Sequence, residues 1–331
     1  MGKMGEISGM SSKPEMLSER DVWGKTLVDL GAIYPEMLVL DGDLAQSTKA
    51  DLFDAAYPDR FIECGIAEQN MAGMAAGLAT MGFTPWLSSF AVFLVKRILD
   101  QVRMVIAQPN LNVKLGSHFS GLMTARTGKT HQAVEDLSVM RALPNMTVIA
   151  PAAAVEVGKA MYAIMQQHGP TYLRLTRDPT PVIFGASHDF VIGKSYVVRD
   201  GRDMTIVGTG VQTVRALEAA ETLAAQGISA HVLHVPTLKP LDADGICRAA
   251  ARTGLVLTTE EHTIIGGLGG AVAEVLGERC PTRMRRHGLM DVYGESGPND
   301  ALLEKYGLSS RHIAAAAVSL LDAARTPGRS N

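Results

Sequence analysis

Residues 61–81 read FIECGIAEQNMAGMAAGLATM and contain the strongest local signal in the chain. A helical pattern covers residues 67–81 and places Glu68 in the first turn. Glycine inside a helix costs about 1 kcal/mol relative to alanine, so the small residues of this helix need a reason. Small side chains let a second backbone approach the helix closely. That backbone would belong either to another domain or subunit or to the same tightly packed domain. The small residues are Ala72, Gly73, Ala75, Ala76, Gly77 and Ala79.

Outward from this helix, short apolar runs alternate with helix-length segments. Continuous apolar strands that alternate with helices are typical of a parallel sheet covered on both faces. The predicted strands lie at residues 37–40, 112–115, 147–150 and 172–175, and the predicted helices at 67–81, 134–142 and 154–167. The fold class is therefore predicted to be α/β.

A second cycle of strands and helices follows residues 179–194, which proline and glycine punctuate as in a linker. Its predicted strands are 204–208, 228–234 and 254–259, and its predicted helices are 211–226 and 266–276. We place the boundary near residue 187, which gives two consecutive parallel-sheet α/β domains at 15–187 and 188–331. Residues 1–14 are rich in glycine, serine and lysine and are predicted to form a flexible tail.

Composition narrows the class of protein. The 331 residues allow two domains, and the formal net charge of −3 gives no strong basic field for nucleic acid or an anionic membrane. Residues 1–14 lack the apolar run that a signal peptide would need, and no segment has 18 consecutive apolar residues, so we expect neither a signal peptide nor a membrane span. Cys64, Cys247 and Cys280 are far apart, which suits neither a disulfide framework nor a zinc site. We therefore expect a cytoplasmic protein without a membrane span.

Two glycine clusters each follow a predicted strand and open a helix, as in dinucleotide-binding turns. They are Gly208-Thr209-Gly210 and residues 266–270. The third glycine of the GxGxxG pattern is absent from both, because Thr213 and Val272 occupy those positions. Tight strand–helix turns use glycine for steric reasons alone, so nucleotide binding is disfavoured. Asp41-Gly42-Asp43 likewise has the wrong order for the GDG motif that binds a metal and diphosphate.

Glu68 lies beside Ile66, Met71 and Met74, an apolar setting that would raise the pKa of a carboxyl group. The alternative is that an acid in the first helical turn simply interacts with the helix dipole. The residues by themselves leave both interpretations open.

Several ordered motifs resemble the pyrimidine-binding domain of the transketolase family. The resemblance runs from about Arg20 into the second domain. Its motifs are residues 65–77, Ser89-Phe90-Ala91-Val92-Phe93, Asp100-Gln101-Val102-Arg103, Thr130-His131-Gln132, Glu135-Asp136-Leu137 and residues 141–146. Because many motifs occur in the same order, the chain is identified as similar to the C-terminal half of a transketolase.

The resemblance implies thiamine diphosphate as the cofactor. Glu68 would hydrogen-bond N1′ of the aminopyrimidine ring, which favours the tautomer that deprotonates the thiazolium carbon. Phe90 and Phe93 would pack on this ring, although two Phe at this spacing also suit a core. The other implied cofactor contacts are Asp43, Ile66 and Lys96, and Lys96 replaces an aromatic residue that the family often has.

The same resemblance assigns the substrate side. His118 and His131 would line the substrate channel, with His131 near the reacting carbons and His118 near the distal phosphate. Arg20, Ser47 and Arg177 match phosphate-binding positions, and guanidinium groups suit phosphate oxygens. Arg177 has the alternative of pairing with Asp178.

One loop departs from the family pattern. Thr127 replaces an aspartate that contacts the sugar, and Arg126 and Lys129 add positive charge, so we expect a branched or more anionic sugar phosphate.

The resemblance covers only the C-terminal half of a transketolase. The diphosphate and its Mg²⁺ or Ca²⁺ would therefore be held by an N-terminal partner chain, in an α2β2 assembly. The alternatives are the β subunit of a 2-oxoacid dehydrogenase E1 component, a half of a deoxyxylulose-phosphate synthase, or a silent scaffold subunit.

Overall fold

A computed structural model describes residues 15–325, so the tail predicted at residues 1–14 lies outside the described part. The chain in this range alternates strands and helices, as the sequence predicts, and folds around two main sheets. The strands are β1 (Met16–Leu17), β2 (Met37–Asp41), β3 (Phe61–Glu63), β4 (Thr84–Phe90), β5 (Lys114–His118), β6 (Thr147–Ile149), β7 (Thr171–Arg174), β8 (Thr180–Pro181), β9 (Tyr196–Arg199), β10 (Met204–Gly208), β11 (Ala230–His234), β12 (Thr237–Lys239), β13 (Leu255–Thr263) and β14 (Arg283–Leu289).

Helices cover both sheets. Short π-helical and 3-10 turns lie between some of the helices and strands. The α-helices are α1 (Glu19–Ile33), α2 (Ala45–Thr48), α3 (Asp51–Ala56), α4 (Glu68–Thr80), α5 (Leu99–Gln101), α6 (Asp136–Ala142), α7 (Ala154–Met165), α8 (Gln212–Ala224), α9 (Ala243–Thr253), α10 (Leu268–Arg279), α11 (Asn299–Lys305) and α12 (Ser310–Arg325). Residues Phe93–Arg97 and Val102–Ala107 form wider π-helical turns, and Pro58–Arg60 and Ala125–Thr127 form 3-10 turns.

The first sheet has the strand order β12-β6-β7-β5-β4-β2-β3. Its strands are parallel except for β12, which runs antiparallel to β6 and comes from the second half of the chain. The second sheet has the order β14-β13-β10-β11-β9, and only β9 is antiparallel. The predicted α/β class with two consecutive parallel-rich domains is therefore confirmed, and the boundary near residue 187 stays a prediction.

Strand β5 packs under α1 in the core of the first domain, and it begins two residues later than predicted. Trp23 of α1 is fully buried and packs over Gly116, where an added Cβ would come within 2.0 Å of its ring. The strand was predicted at residues 112–115 but runs from Lys114 to His118. Asn112 instead ties two neighbouring segments together through its side chain. The strand continues through buried polar residues that an apolar pattern does not reveal.

The cysteine prediction needs a correction. Cys247 of α9 and Cys280, at the end of α10, form a disulfide, although they are 33 residues apart in sequence. The wide spacing of the cysteines argued against a disulfide. The prediction was wrong because spacing in sequence does not show which helices pack side by side. Cys64 is a free thiol, and burial, together with the nearby Glu63 and Asp41, raises its pKa to about 11.

Candidate active site

The predicted site residues follow the carboxyl ends of the parallel strands in the first sheet. Asp43 follows β2, Glu68 follows β3, Phe90 ends β4, His118 ends β5, and Arg177 comes shortly after β7. The carboxyl ends of parallel strands meet at one edge of a sheet, which is where ligands bind in open α/β folds. The fold thus brings together residues that are up to 134 positions apart in sequence.

Glu68 lies at the start of α4 with only 1% of its surface exposed. Its Oε1 accepts a hydrogen bond from Arg97 Nη1 at 2.6 Å, and its Oε2 has no partner among the described residues. The purely apolar setting expected from the sequence is wrong, because Arg97 pairs with the carboxylate and Ile66 is 74% exposed. One oxygen of a buried acid is therefore left for a ligand, since buried polar atoms normally have partners.

A cluster of aromatic rings lies next to the Arg97 side chain that pairs with Glu68. The Arg97 guanidinium lies 4.0 Å from the centre of the Phe93 ring, and the Phe93 and Phe90 rings stack at 5.9 Å. His131 contacts this pair edge-on, at 5.5 Å from Phe93 and 6.1 Å from Phe90. Phe119, the residue after β5, stacks on Phe90 with ring centres 4.0 Å apart. Glu68, Phe90, Phe93 and His131 are thus brought together as the sequence predicts.

Asp43 and Lys96 have other partners in this chain. Asp43 is exposed in a left-handed turn, and its N–H donates to Glu63 Oε1 at 2.9 Å. The preceding Gly42 lies beside Glu68, so this turn borders the site. Lys96 forms an ion pair with Glu135 at 2.8 Å. The ion pair therefore directs the Lys96 ammonium group towards Glu135.

Arg20 and Arg177 converge as the sequence predicts, but Ser47 takes part through its backbone. Arg20 Nε donates to the Arg177 carbonyl at 3.1 Å, and Arg20 Nη1 donates to the Ser47 carbonyl at 2.7 Å. Arg177 Nε is buried without a partner within residues 15–325. The two guanidinium groups therefore form a cationic pair that keeps unused donors.

His118 lies behind this pair and away from the surface. It is fully buried against Trp23, with ring centres 5.0 Å apart, and neither ring nitrogen has a partner in the described chain. Burial, helped by the Arg20 charge, lowers the pKa of the imidazole to about 3, so the ring is neutral. The sequence predicts His118 nearer the distal phosphate. The structure places it under α1 and close enough to Arg20 to feel its charge, so its role stays a prediction.

The loop after β5 is held by the second domain. Met123 N–H donates to Glu261 Oε1 at 2.9 Å, and Arg215 pairs with Glu261 Oε2 at 3.2 Å. Gly121 has φ +71, and a Cβ there would lie 2.3 Å from Glu261 Oε1. Beyond this anchor, Arg126, Thr127 and Lys129 are exposed. The start of the loop is thus held by Glu261, and the Arg126 and Lys129 side chains further along it are exposed to solvent.

The second glycine cluster serves the chain's own packing. Glu260 accepts hydrogen bonds from Leu268 N–H and Gly269 N–H at 2.7 and 2.8 Å, so a carboxylate of this chain covers the start of α10. A Cβ at Gly267 would lie 2.0 Å from Glu260 Oε2. The glycines are needed for this close approach, which fits the steric interpretation of the motif.

Arg97 and Phe119 are the contacts that sequence reasoning missed. Phe93 and Arg97 are four residues apart within one helical turn, a spacing that could have suggested the pair. Phe119 directly follows His118 and had no signal of its own, because its left-handed backbone cannot be read from a phenylalanine. In the described residues, no helix is long and apolar enough to cross a membrane, and no group of three or more His, Cys, Asp or Glu is placed to hold a metal ion.

Comparisons with known proteins show the family to which the chain is related. The family model for the transketolase pyrimidine binding domain matches residues 15–182, and that for the transketolase C-terminal domain matches residues 193–313. A 6-deoxy-6-sulfo-D-fructose transketolase subunit from Clostridium sp. (strain MSTE9) is 42% identical over 90% of this chain and 92% of its own length. A Methanocaldococcus jannaschii protein, provisionally named a transketolase C-terminal section, is also 42% identical, over 89% of this chain and 93% of its own.

A solved structure titled as a split-gene transketolase, an inactive β4 tetramer, gives a TM-score of 0.87 at 45% identity, covering 92% of this chain and 99% of that one. The chain therefore belongs to the transketolase family. Its two domains are those of the C-terminal half, as in the C-terminal subunits of split transketolases. These matches do not favour the 2-oxoacid dehydrogenase or deoxyxylulose-phosphate synthase alternatives.

Proposed function

We propose that this chain is the C-terminal subunit of a thiamine-diphosphate-dependent transketolase that moves a two-carbon ketol unit from a ketose phosphate to an aldose acceptor. The single observation that carries the proposal is the unpartnered Oε2 of buried Glu68. Beside it lie Phe93, which Arg97 links to the acid, and Phe90, which stacks on Phe93.

The residues present fit an aminopyrimidine ring. A carboxyl oxygen without a partner suits a ring nitrogen that shares a proton, and the neighbouring phenylalanine side chains give an aromatic heterocycle an apolar surrounding. Ser89 Oγ is also buried without a partner in residues 15–325, and it lies next to Gly42, as does Glu68. Asp43, next to Gly42, and Ile66, two residues before Glu68, lie on the loops that follow β2 and β3.

Each residue then has a defined task. Thiamine diphosphate, when bound, supplies the carbon nucleophile and accepts the electrons when the ketose carbon–carbon bond breaks. Glu68 holds a proton at the pyrimidine nitrogen through Oε2, and Arg97 fixes the carboxyl group through Oε1. His131, beside the aromatic pair, hydrogen-bonds a substrate hydroxyl or carbonyl near the reacting carbons. We assign His118 to the phosphate end of the substrate beside Arg20, because both of its ring nitrogens are buried without a partner among the described residues, as Glu68 Oε2 is.

The diphosphate and its Mg²⁺ or Ca²⁺ are assigned to an N-terminal partner subunit, in an α2β2 assembly. Gly73 and Gly77 on α4 are exposed. Apart from the neighbouring backbone of α4 itself, no atom of the described residues lies within 4 Å of a Cβ built at either position. This leaves one helix face open to another backbone. Relatives named as transketolase subunits or sections support a multichain enzyme.

The substrate is proposed to be a sugar with a strongly anionic end. Arg126 and Lys129 add exposed positive charge next to Thr127, which replaces an aspartate of the family pattern. The relative named for 6-deoxy-6-sulfo-D-fructose supports a sulfonate or phosphate on the donor ketose. Both are tetrahedral oxyanions that guanidinium groups bind well.

The test is a ketol-transfer assay of this chain with its N-terminal partner, cofactor and metal. Glu68→Gln is expected to reduce kcat by at least about 100-fold, which is about 2.7 kcal/mol in activation free energy. Glu221→Gln, at an exposed position on α8, is the matched control and is expected to retain activity. Unchanged turnover in Glu68→Gln would end the proposal. Turnover by this chain without any partner would end the split-subunit part.

A further inference from the structure

Phe119 holds an unusual backbone conformation at the centre of the site. Its φ is +57°, in the left-handed region that glycine favours, and its side chain is only 5% exposed. Such a conformation costs a residue with a side chain free energy, and residues of this kind concentrate where a site needs them. The position of its ring therefore requires an explanation beyond core packing.

The ring is shared by two halves of the site. It stacks on Phe90 with centres 4.0 Å apart and planes inclined by 23°. The guanidinium carbons of Arg20 and Arg177 lie 5.5 and 5.3 Å from its centre, within cation–π distance. Phe119 is thus the contact that joins the aromatic pair near Glu68 to the cationic pair.

Two like charges at one ring need compensation. Arg20 and Arg177 repel each other, and the carbonyls of Arg177 and Ser47 engage Arg20 alone. The neutral, buried His118 behind Arg20 adds no negative charge. The negative face of an aromatic ring offsets part of the repulsion and leaves the guanidinium donors free, as at Arg177 Nε.

We propose that Phe119 is a positioning residue that holds Arg20 and Arg177 as a two-guanidinium clamp for the terminal oxyanion of the sugar. This inference rests on the proposed transketolase function. It predicts that removing the aromatic face weakens recognition of the anionic group and spares the chemistry at the other end of the substrate. Leucine at position 119 would keep apolar bulk and the same backbone strain, whereas tyrosine would keep the ring.

The experiment compares Phe119→Leu and Phe119→Tyr in the complete complex. The acceptors are an aldose phosphate and the same aldose without phosphate. Phe119→Leu is expected to raise KM for the phosphorylated acceptor by roughly 3- to 30-fold, the range of a cation–π contact, with kcat and the neutral acceptor unchanged within about twofold. Phe119→Tyr is expected to behave as the native protein. Equal losses for both acceptors, no loss at all, or an equal defect in Phe119→Tyr would overturn the inference.

A binding measurement separates this inference from the proposed function. Calorimetric titration of the native complex and the variants with inorganic phosphate, and separately with sulfate, needs no turnover. Phe119→Leu is expected to weaken anion binding severalfold. If native protein binds these anions and Phe119→Leu binds them equally, the clamp is refuted, whatever the enzyme assay gives.

A second substitution covers the case in which Phe119→Leu does not fold. A fluorinated phenylalanine at position 119 keeps the shape of the ring and weakens its negative face. It is expected to weaken phosphate binding in the same direction and by less than leucine. Unchanged binding with the fluorinated ring would overturn the inference in that case.

Discussion

Glu68 and Glu156 are both buried glutamates near the start of a helix in the first domain, but only one has partners for both oxygens. Glu156 Oε2 accepts hydrogen bonds from Ala152 N–H at 2.7 Å and lies 2.9 Å from His234 Nε2, while Oε1 lies 3.2 Å from His188 Nε2. Glu68 Oε2 has none in residues 15–325.

The difference separates a structural acid from one available to a ligand. His188 follows the first domain and His234 belongs to β11 of the second, so Glu156 ties the two domains together. Burial by itself would raise the pKa of Glu156, but His234, His188 and the Ala152 N–H together lower it to about 2. A buried carboxylate satisfied in this way stabilises the fold, whereas the half-satisfied Glu68 has capacity left for a ligand.

The largest expected effect tests this contrast directly. Glu156→Gln removes the charge that faces two buried histidines and is expected to reduce the free energy of unfolding by about 3–5 kcal/mol. Glu68→Gln is expected to change it by no more than about 1 kcal/mol, because its partner Arg97 is 41% exposed and regains water. Urea denaturation followed by circular dichroism measures both. Equal destabilisation by the two substitutions would contradict the distinction.

The disulfide offers a comparison within the second domain. Cys247→Ser opens a loop that spans 33 positions and is expected to reduce the free energy of unfolding by about 3–4 kcal/mol, from loop entropy. Ketol transfer at low temperature should persist, because neither cysteine borders the Glu68 site. Cys64→Ser, which alters the free thiol, is the control and should change stability little. If Cys247→Ser is folded but has lost activity, the disulfide supports the Glu68 site as well as the stability of the second domain.

The sequence predicted the parts of the fold and site that depend on local patterns. The α/β order follows from alternating apolar runs and helical segments, and Glu68, Phe90, Phe93 and His131 lie within recognisable motifs. The strand order then brings these motifs to one sheet edge, as a parallel sheet requires. Their detailed roles stay predictions until they are tested.

What the sequence could not give depends on long-range packing. His118 is buried because Trp23, 95 positions earlier, lies over Gly116 beside it. The disulfide forms because α9 and α10 are neighbours. Arg97 reaches Glu68 from the wide turn Phe93–Arg97, and neither residue predicts that geometry by itself.

A smaller, pH-dependent effect concerns Glu19, another buried acid, one of whose oxygens has no partner among the described residues. Burial raises the pKa of this carboxyl to about 8 from 4.5, although Thr176 N–H, a donor to Oε2, lowers it in part. A raised pKa in the folded state stabilises the protein below about pH 4.5, and this contribution is lost as pH rises to about 8.

Stability should therefore fall between about pH 6 and about pH 7.5, by about 2 kcal/mol relative to a variant without this group. Glu19→Gln is that variant, and urea denaturation at both pH values checks the difference between the two proteins. A parallel pH dependence in native protein and Glu19→Gln would show that Glu19 does not titrate in this range.

The smallest expected effect on stability is that of Arg97→Gln. Its ion pair with Glu68 is 2.6 Å long, but Arg97 is 41% exposed, so the loss should be under about 1 kcal/mol. The substitution also removes the donor that orients the Glu68 carboxyl group, and cofactor affinity is expected to fall severalfold. Titration of the complete complex with thiamine diphosphate measures this loss, and Arg202→Gln, at an exposed position of the second domain, is the matched control. A large loss of stability with unchanged cofactor affinity would mean that Arg97 supports the fold as the partners of Glu156 do, and the contrast between the two acids would disappear.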